Sequence, residues 1–138
     1  MKRFVAITVL ALVSAVASAA WVDAGSTADQ QKIKLDSERY QRQGDAVTAA
    51  IRVEYPAPQI IPFSPKSYVA AERIYHFQCA NKQFILASAK MLDKDGGVAY
   101  EFDAAKNPFG GTPQPQSVPS EKTGDRLAFE AACAYKKP

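Results

Sequence analysis

Residues 47–55 read VTAAIRVEY, and along this stretch every second side chain is apolar while most of those between are polar. A period of two is typical of a β-strand with one face against a core. Upstream, Ile33 and Leu35 alternate with charged neighbours and predict a shorter strand of the same kind. The polar segment 37–45 that links the two strands ends in a Gly-Asp pair, which indicates a turn.

The strand period continues further along the chain. Tyr75, Phe77 and Cys79 share one side of a predicted strand. Residues 84–92 are apolar on both sides, which predicts a central strand covered on both faces and, as the weaker alternative, a short helix. Residues 98–103 alternate again after a turn with an Asp-Gly pair, and so predict a hairpin.

Two proline-rich segments, 56–65 and 108–119, interrupt this pattern. Because proline has no N–H to donate to a sheet ladder, both segments are predicted to be surface loops. Their large apolar residues could contact a partner or fold down over a sheet edge, and the sequence leaves both interpretations open. These residues are Ile60, Ile61, Phe63 and Phe109.

The C-terminal segment changes to a spacing of three and four residues, which predicts a helix. Thr123 can cap its first turn, where Asp125 suits the positive end of the helix dipole. Cys133 lies in this helix, and a bond to Cys79 would fasten the helix to the end of a strand. The predicted fold class is therefore α+β, a mainly antiparallel β-sheet with a C-terminal α-helix packed on one face and tethered by a disulfide.

The first residues are typical of export. A basic start, Met1-Lys2-Arg3, precedes an uncharged run at 4–16 and a group of small residues, so we expect a signal peptide at 1–19 with cleavage after Ala19 or Ala20. The run has 13 residues, whereas a bilayer needs about 20, so a transmembrane segment in the mature chain is not expected. No cysteine lies just after the run, since the two cysteines are Cys79 and Cys133, so we do not expect a lipoprotein. Residues 20–138 are predicted to form a single domain that is periplasmic, outer-membrane-associated or secreted.

Processing would change the charge balance of the chain. The 17 basic residues include Lys2 and Arg3, so 15 remain against 14 acidic residues and the net charge falls to +1. A nearly balanced surface gives no electrostatic reason to expect nucleic acid as a partner. Outside the cytoplasm two cysteines favour a bond, here between Cys79 and Cys133, over two unpaired thiols. Closing this loop would stabilise the fold by roughly 4 kcal/mol.

Catalytic and metal-binding patterns are weak. The single histidine, His76, is a candidate base or ligand, but we favour a polar residue on the outer face of a strand because no second histidine is present. Asp93-Lys94-Asp95-Gly96 begins like a calcium loop, yet position 12 is Ala104 instead of glutamate, which favours an Asp-Gly hairpin turn. Glu101 and Asp103 would share the outer face of a strand, where charged residues are common. No enzyme activity, catalytic residue, metal site or cofactor is predicted.

The order of several short motifs resembles the surface-adhesin protein E family. The motifs are Trp21, Lys34-Leu35-Asp36-Ser37, Arg42-Gln43-Gly44-Asp45, Val53-Glu54-Tyr55, His76-Phe77-Gln78-Cys79, Gly96-Gly97 and the capped terminal helix with Cys133. The resemblance implies an antiparallel sheet with a C-terminal helix fastened by the disulfide. It also implies attachment to a protein partner, such as a host extracellular-matrix or serum protein, and a possible homodimer.

The leading functional hypothesis is a non-enzymatic exported bacterial binding protein of surface-adhesin type, which holds a protein partner through a sheet edge or loops. The alternative is a soluble periplasmic structural or inhibitory module of the cell envelope. An enzyme comes third, since only His76, Glu101 and Asp103 suggest one.

Overall fold

A computed structural model of the protein describes residues 20–106 and 111–137. The predicted signal peptide, residues 1–19, and the predicted contact residue Phe109 lie outside the described residues. Within the described part of the chain, no helix is long and apolar enough to cross a membrane.

The described residues form one antiparallel sheet whose strands lie side by side in the order in which they occur along the chain. A short strand pairs with β5 beside the last long strand, and one helix follows it. The elements are β1 Trp21–Ser26, β2 Lys32–Gln43, β3 Ala46–Ile60, β4 Ser67–Gln78, β5 Gln83–Leu92, β6 Val98–Asp103, a 3₁₀ turn Ala104–Lys106, β7 Gln116–Ser117 and α1 Gly124–Ala134. The predicted α+β fold class is therefore confirmed.

Helix α1 packs on one face of the sheet, which we call the helix-side face. The helix contributes two small side chains, Ala128 and Ala132, to the core, and both are fully buried. Facing them is the apolar side of the alternating pattern read from the sequence. Its buried members are Ile33, Leu35, Tyr40, Val47, Ala49, Ile51, Val53, Tyr75, Phe77 and Phe84. Burial of this set is the main favourable contribution to the stability of the fold.

Both ends of α1 are held. At the start, the side chain of Thr123 accepts a hydrogen bond from the amide of Arg126, as the sequence predicted. At the other end, the hydroxyl of Tyr40 donates to the carbonyl oxygen of Ala132 at 2.6 Å, and Arg42 donates to that of Cys133 at 2.8 Å. Strand β2 thus satisfies carbonyl groups that the last helical turn leaves free.

The predicted disulfide between Cys79 and Cys133 is present, with 5.8 Å between the two Cα atoms. Cys79 follows directly after β4, and its amide donates to the carbonyl oxygen of Asp45 at 2.9 Å. The bond therefore joins the last turn of α1 to the end of the sheet at which strands β2 and β4 both finish.

The prediction that residues 37–45 form a polar link was wrong for most of that segment, because β2 continues to Gln43. Four residues, 36–39, lie opposite the single residue Ala50 of β3, which makes a bulge. The carboxylate of Asp36 holds the bulge by accepting hydrogen bonds from the amides of Glu38 and Arg39. After it, Tyr40 re-enters the core, so the strand pattern resumes out of phase.

The first proline-rich segment was also predicted wrongly in part. Strand β3 extends through Pro56 and Pro58 to Ile60, and the connecting loop is only 61–66. Residues 55–58 lie opposite the single residue Val69 and have no partner in the ladder, so the two prolines need no N–H to donate. Strand β1 was not predicted, and in the second proline-rich segment the residues of β7 pair with β5.

The disulfide is expected to contribute about 4 kcal/mol to the free energy of unfolding, because it closes a loop of 54 residues in the unfolded chain. We expect the double variant Cys79→Ala, Cys133→Ala to unfold at a correspondingly lower urea concentration, measured by far-ultraviolet circular dichroism. Adding a thiol reductant should lower the unfolding midpoint of the wild type and leave that of the double variant unchanged. Equal midpoints for wild type and variant would contradict the prediction.

Candidate functional site

The residues considered for catalysis do not form a site. The Nδ1 atom of His76 lies 2.9 Å from the hydroxyl of Thr48 on the exposed outer face of the sheet. Glu101 lies opposite Lys90 of β5, and the carboxylate of Asp103 accepts a hydrogen bond from the amide of Ala105. Within residues 20–106 and 111–137, no hydrogen bond joins His76, Glu101 and Asp103 to one another.

The turn that resembled a calcium loop is a hairpin turn between β5 and β6. One carboxylate oxygen of Asp93 accepts hydrogen bonds from the amides of Asp95 and Gly97, each at 2.9 Å. Gly96 has φ 83°, a value that glycine adopts without strain. The side chain of Asp93 thus holds the turn, and the described part of the chain contains no group of three side chains that could bind a metal ion.

The most exposed apolar residues lie at the end of the β3–β4 hairpin, residues 60–66, which we call the hairpin tip. Ile60 is 83% exposed, Phe63 is fully exposed and Ile61 is half-buried. Phe63 has φ 61°, a left-handed conformation that costs a phenylalanine about 1 kcal/mol or more. Of the two interpretations left open by the sequence, the structure favours the outward one, because Ile60 and Phe63 do not fold down over the sheet.

The hairpin tip extends beyond β2. Lys32, the first residue of β2, pairs with Glu54, so the part of β3 after Glu54 has a neighbouring strand only on the β4 side. At the base of this extension the rings of Tyr55 and Tyr68 pack edge to face, with 5.4 Å between their centroids. The hairpin tip is therefore a projection with a packed base.

A partly buried polar cluster connects this base to α1. Arg73 donates to the hydroxyl of Tyr55 at 3.1 Å and to that of Tyr75 at 3.2 Å, and Tyr75 donates to the carboxylate of Asp125 at 2.5 Å. Burial and the nearby Asp125 raise the pKa of Tyr75, and burial raises that of Tyr55, so both remain neutral donors and acceptors. The cluster fixes the hairpin base relative to the first turn of the helix.

A cleft of about 360 Å³ lies beside the hairpin tip, between the base of the β3–β4 hairpin and the β5–β6 turn. Its walls combine apolar side chains with both signs of charge, a mixture that suits a protein surface better than a small apolar ligand. The lining residues are Pro58, Lys66, Ser67, Val69, Asp93, Lys94, Asp95, Val98 and Ala99.

Strand β6 carries a second exposed apolar surface, which the sequence analysis missed. Tyr100 and Phe102 are 50% and 36% exposed, although alternation of this kind is typical of a strand on a core, and Val98, beyond a register shift, is 50% exposed. A helix about 10 Å wide covers two or three strands, because neighbouring strands are about 4.8 Å apart. Helix α1 packs mainly on β1, β2 and β3, and it reaches β4 only at the margin. The exposed β6 residues lie beyond the area that the helix covers.

The outer face of the sheet carries a network of ion pairs. Glu54 is 2.5 Å from Lys34, and Glu72 is 3.1 Å from Arg52 and 3.6 Å from Arg39. Arg39 also donates to the carboxylate of Asp36 at 2.6 Å, and Asp36 is only 1% exposed. Burial alone would favour the neutral acid, but the hydrogen bonds from Arg39 and two amides outweigh it and lower the pKa of Asp36.

The sequence pattern of the family described as Surface-adhesin protein E matches residues 21–134. Two solved structures of Haemophilus influenzae protein E are similar to this fold. One has 14% identity over 83% of each chain with a TM-score of 0.53, and crystal form II has 16% identity over 74% of this chain and 80% of that chain with a TM-score of 0.52. At these identities the likeness shows the fold alone. No curated protein matches the chain significantly in sequence.

The substitution Asp36→Asn keeps an oxygen for the two amides and removes the charge that pairs with Arg39. We expect the free energy of unfolding at pH 7 to fall by about 1.5–3 kcal/mol, the range for hydrogen bonds to charged groups. Because the pKa of Asp36 is lowered in the folded state, this advantage of the wild type is present above the ordinary aspartate pKa of about 4 and is lost as the pH falls below it.

Urea unfolding of both proteins between pH 7 and about pH 2 measures this difference. The matched control is Glu54→Gln, whose ion pairs are about one-third exposed and should contribute about 1 kcal/mol or less. A difference between wild type and Asp36→Asn that does not shrink in acid would contradict the prediction.

Proposed function

The chain belongs to the surface-adhesin protein E family, and on that premise we propose that it is an exported, non-enzymatic binding protein that holds a protein partner through its hairpin tip. The observation that carries the proposal is the outward exposure of Ile60 and Phe63 on a projection with a packed base. The cleft beside the hairpin tip would hold the rim of the contact.

The physical chemistry of the hairpin tip supports this use. Complete burial of one phenylalanine side chain is worth about 1.5–3 kcal/mol, so Phe63 and Ile60 together could contribute a large part of a micromolar affinity. Pro62 and Pro65 restrict the backbone on both sides of Phe63, which lowers the entropy cost of ordering the loop in a complex. The cost of holding Phe63 at a positive φ is itself explained if its ring is needed at the surface.

The family name supports a host extracellular-matrix or serum protein as the partner. The proposal includes export through a signal peptide at 1–19, with a mature domain at 20–138. Both cysteines of the sequence are bonded to each other, which supports the expectation that neither carries a lipid. A homodimer, which the family resemblance implies, would present two hairpin tips and raise the avidity for an immobilised partner.

The substitution Phe63→Asn tests the hairpin tip, because asparagine tolerates a positive φ better than phenylalanine and removes the apolar ring. We expect stability to stay the same or rise slightly, while binding to immobilised matrix and serum proteins weakens roughly tenfold or more. Surface plasmon resonance measures the binding, and thermal unfolding measures the stability.

The matched control for this variant is Gln30→Asn. It also places asparagine at an exposed position of positive φ, here 64°, but it removes no apolar surface. It should bind like the wild type. If Phe63→Asn binds every wild-type partner with unchanged affinity, the hairpin tip is not the contact surface.

Localisation separates an adhesin from a periplasmic structural or inhibitory module. We expect protease added to intact cells to remove the protein, because an adhesin must reach the exterior. A periplasmic enzyme of the same cells serves as the control for an intact outer membrane. If the protease degrades neither the protein nor the periplasmic enzyme, the result would favour the periplasmic module.

A further inference from the structure

Strand β6 is an edge strand with an open side. It pairs with β5, and none of the strands formed by residues 20–106 and 111–137 pairs with its other side. An open edge presents unpaired N–H and C=O groups to any extended chain. At the opposite edge, β1 has a register shift between Asp23 and Ser26 and a glycine at φ 104°, which discourage pairing. Strand β6 has a register shift of its own between Val98 and Tyr100, but from Tyr100 to Asp103 it pairs with β5 without a break.

The two faces of β6 specify different neighbours for an added strand. On the helix-side face, Tyr100 and Phe102 are exposed and would pack against apolar side chains directly across the ladder. On the outer face, Glu101 is exposed between them in sequence. An extended segment beside β6 would therefore meet apolar, acidic and apolar positions in turn.

Glu101 ends a row of charged residues that crosses the sheet in register. The row consists of Lys34, Arg52, Glu72, Lys90 and Glu101, one from each of the strands β2 to β6. From Arg52 onwards the signs alternate, and Arg52 and Glu72 form an ion pair. No salt bridge within 4.0 Å reaches Glu101 in the part of the chain that the structure describes. A cationic residue at the next position of the row, on an added strand, would therefore complement the charge of Glu101.

We propose that β6 accepts an extended segment of a protein partner as an added strand. The segment carries a lysine or arginine opposite Glu101 and apolar residues opposite Tyr100 and Phe102. Main-chain hydrogen bonds would provide affinity, and the alternating side chains would provide specificity.

A second copy of this chain is less complementary to the same edge. An antiparallel β6–β6 pair centred on Tyr100 would place Glu101 opposite Ala99, which supplies no cation. A pair centred on Glu101 would place two carboxylates opposite each other, which is destabilising. The charge pattern therefore favours a basic partner segment over self-pairing.

The edge of β6 is a surface additional to the hairpin tip, so the two proposals can be tested independently. The probe is a blocked peptide, acetyl-Ser-Thr-Val-Lys-Val-Thr-Ser-amide, titrated into the isotopically labelled protein and followed by amide chemical shifts. We expect the largest shifts at residues 98–102, and a peptide with glutamate in place of lysine should bind about threefold or more weakly. The variant Phe63→Asn should bind both peptides like the wild type.

Charge reversal provides the decisive variant, because Glu101 is exposed and the repulsion of a lysine there from Lys90 is too small to disrupt the fold. In Glu101→Lys the preference should invert, so that the glutamate peptide binds more tightly than the lysine peptide. Equal affinities for both peptides, no inversion in the variant, or shifts centred on the hairpin tip would overturn the proposal. So would a dimer in solution whose interface covers β6.

Discussion

One helix of eleven residues has to cover the apolar face of a seven-stranded sheet, and most of the other features of this structure depend on that constraint. The helix is held at its first turn by Thr123 and at its last by Tyr40, Arg42 and the disulfide from Cys133. These attachments fix it over one half of the sheet. They also determine where the apolar face ends, and hence which side chains of the remaining strands meet solvent.

The side chains of the sheet become more polar or more exposed where helix α1 no longer covers them. On β4, at the limit of the area that the helix covers, the margin of the core contains the partly buried guanidinium group of Arg73, which hydrogen-bonds to Tyr55 and Tyr75. Beyond it, β6 has no cover and its apolar residues are exposed. On the outer face of β2 to β4 the long charged side chains neutralise one another in pairs, whereas Glu101 at the β6 edge has no salt bridge in the described part of the chain. Apolar contact therefore supplies most of the exposed recognition surface, and charge selects a partner only at Glu101.

The fold class was readable from the sequence because period two, the helical spacing and the two cysteines agreed with one another. Strand boundaries were less predictable where residues within a strand have no hydrogen-bonded partner in the neighbouring strand. Asp36 holds a bulge that shifts the phase of β2, and Pro56 and Pro58 lie in an unpaired stretch of β3. For the candidate site, the exposure of Phe63 agreed with a proline-rich loop. The exposure of β6 could not be predicted, because its pattern resembles that of a buried strand and only the position of the helix distinguishes the two.

The order of the strands has a consequence for how the chain folds. Because β1 to β6 lie in the sheet in the order of the sequence, each of their hairpins can close over a short loop, and such local contacts favour rapid folding. The exceptions are β7, which pairs with β5, and the helix with its disulfide, since Cys133 lies 54 residues from its partner. A chain that emerges from its N-terminus would therefore form the sheet before the helix is present. During that interval the face carrying Val47 and Phe77 is open to water, so docking of the helix both completes the core and ends the period of greatest exposure to aggregation.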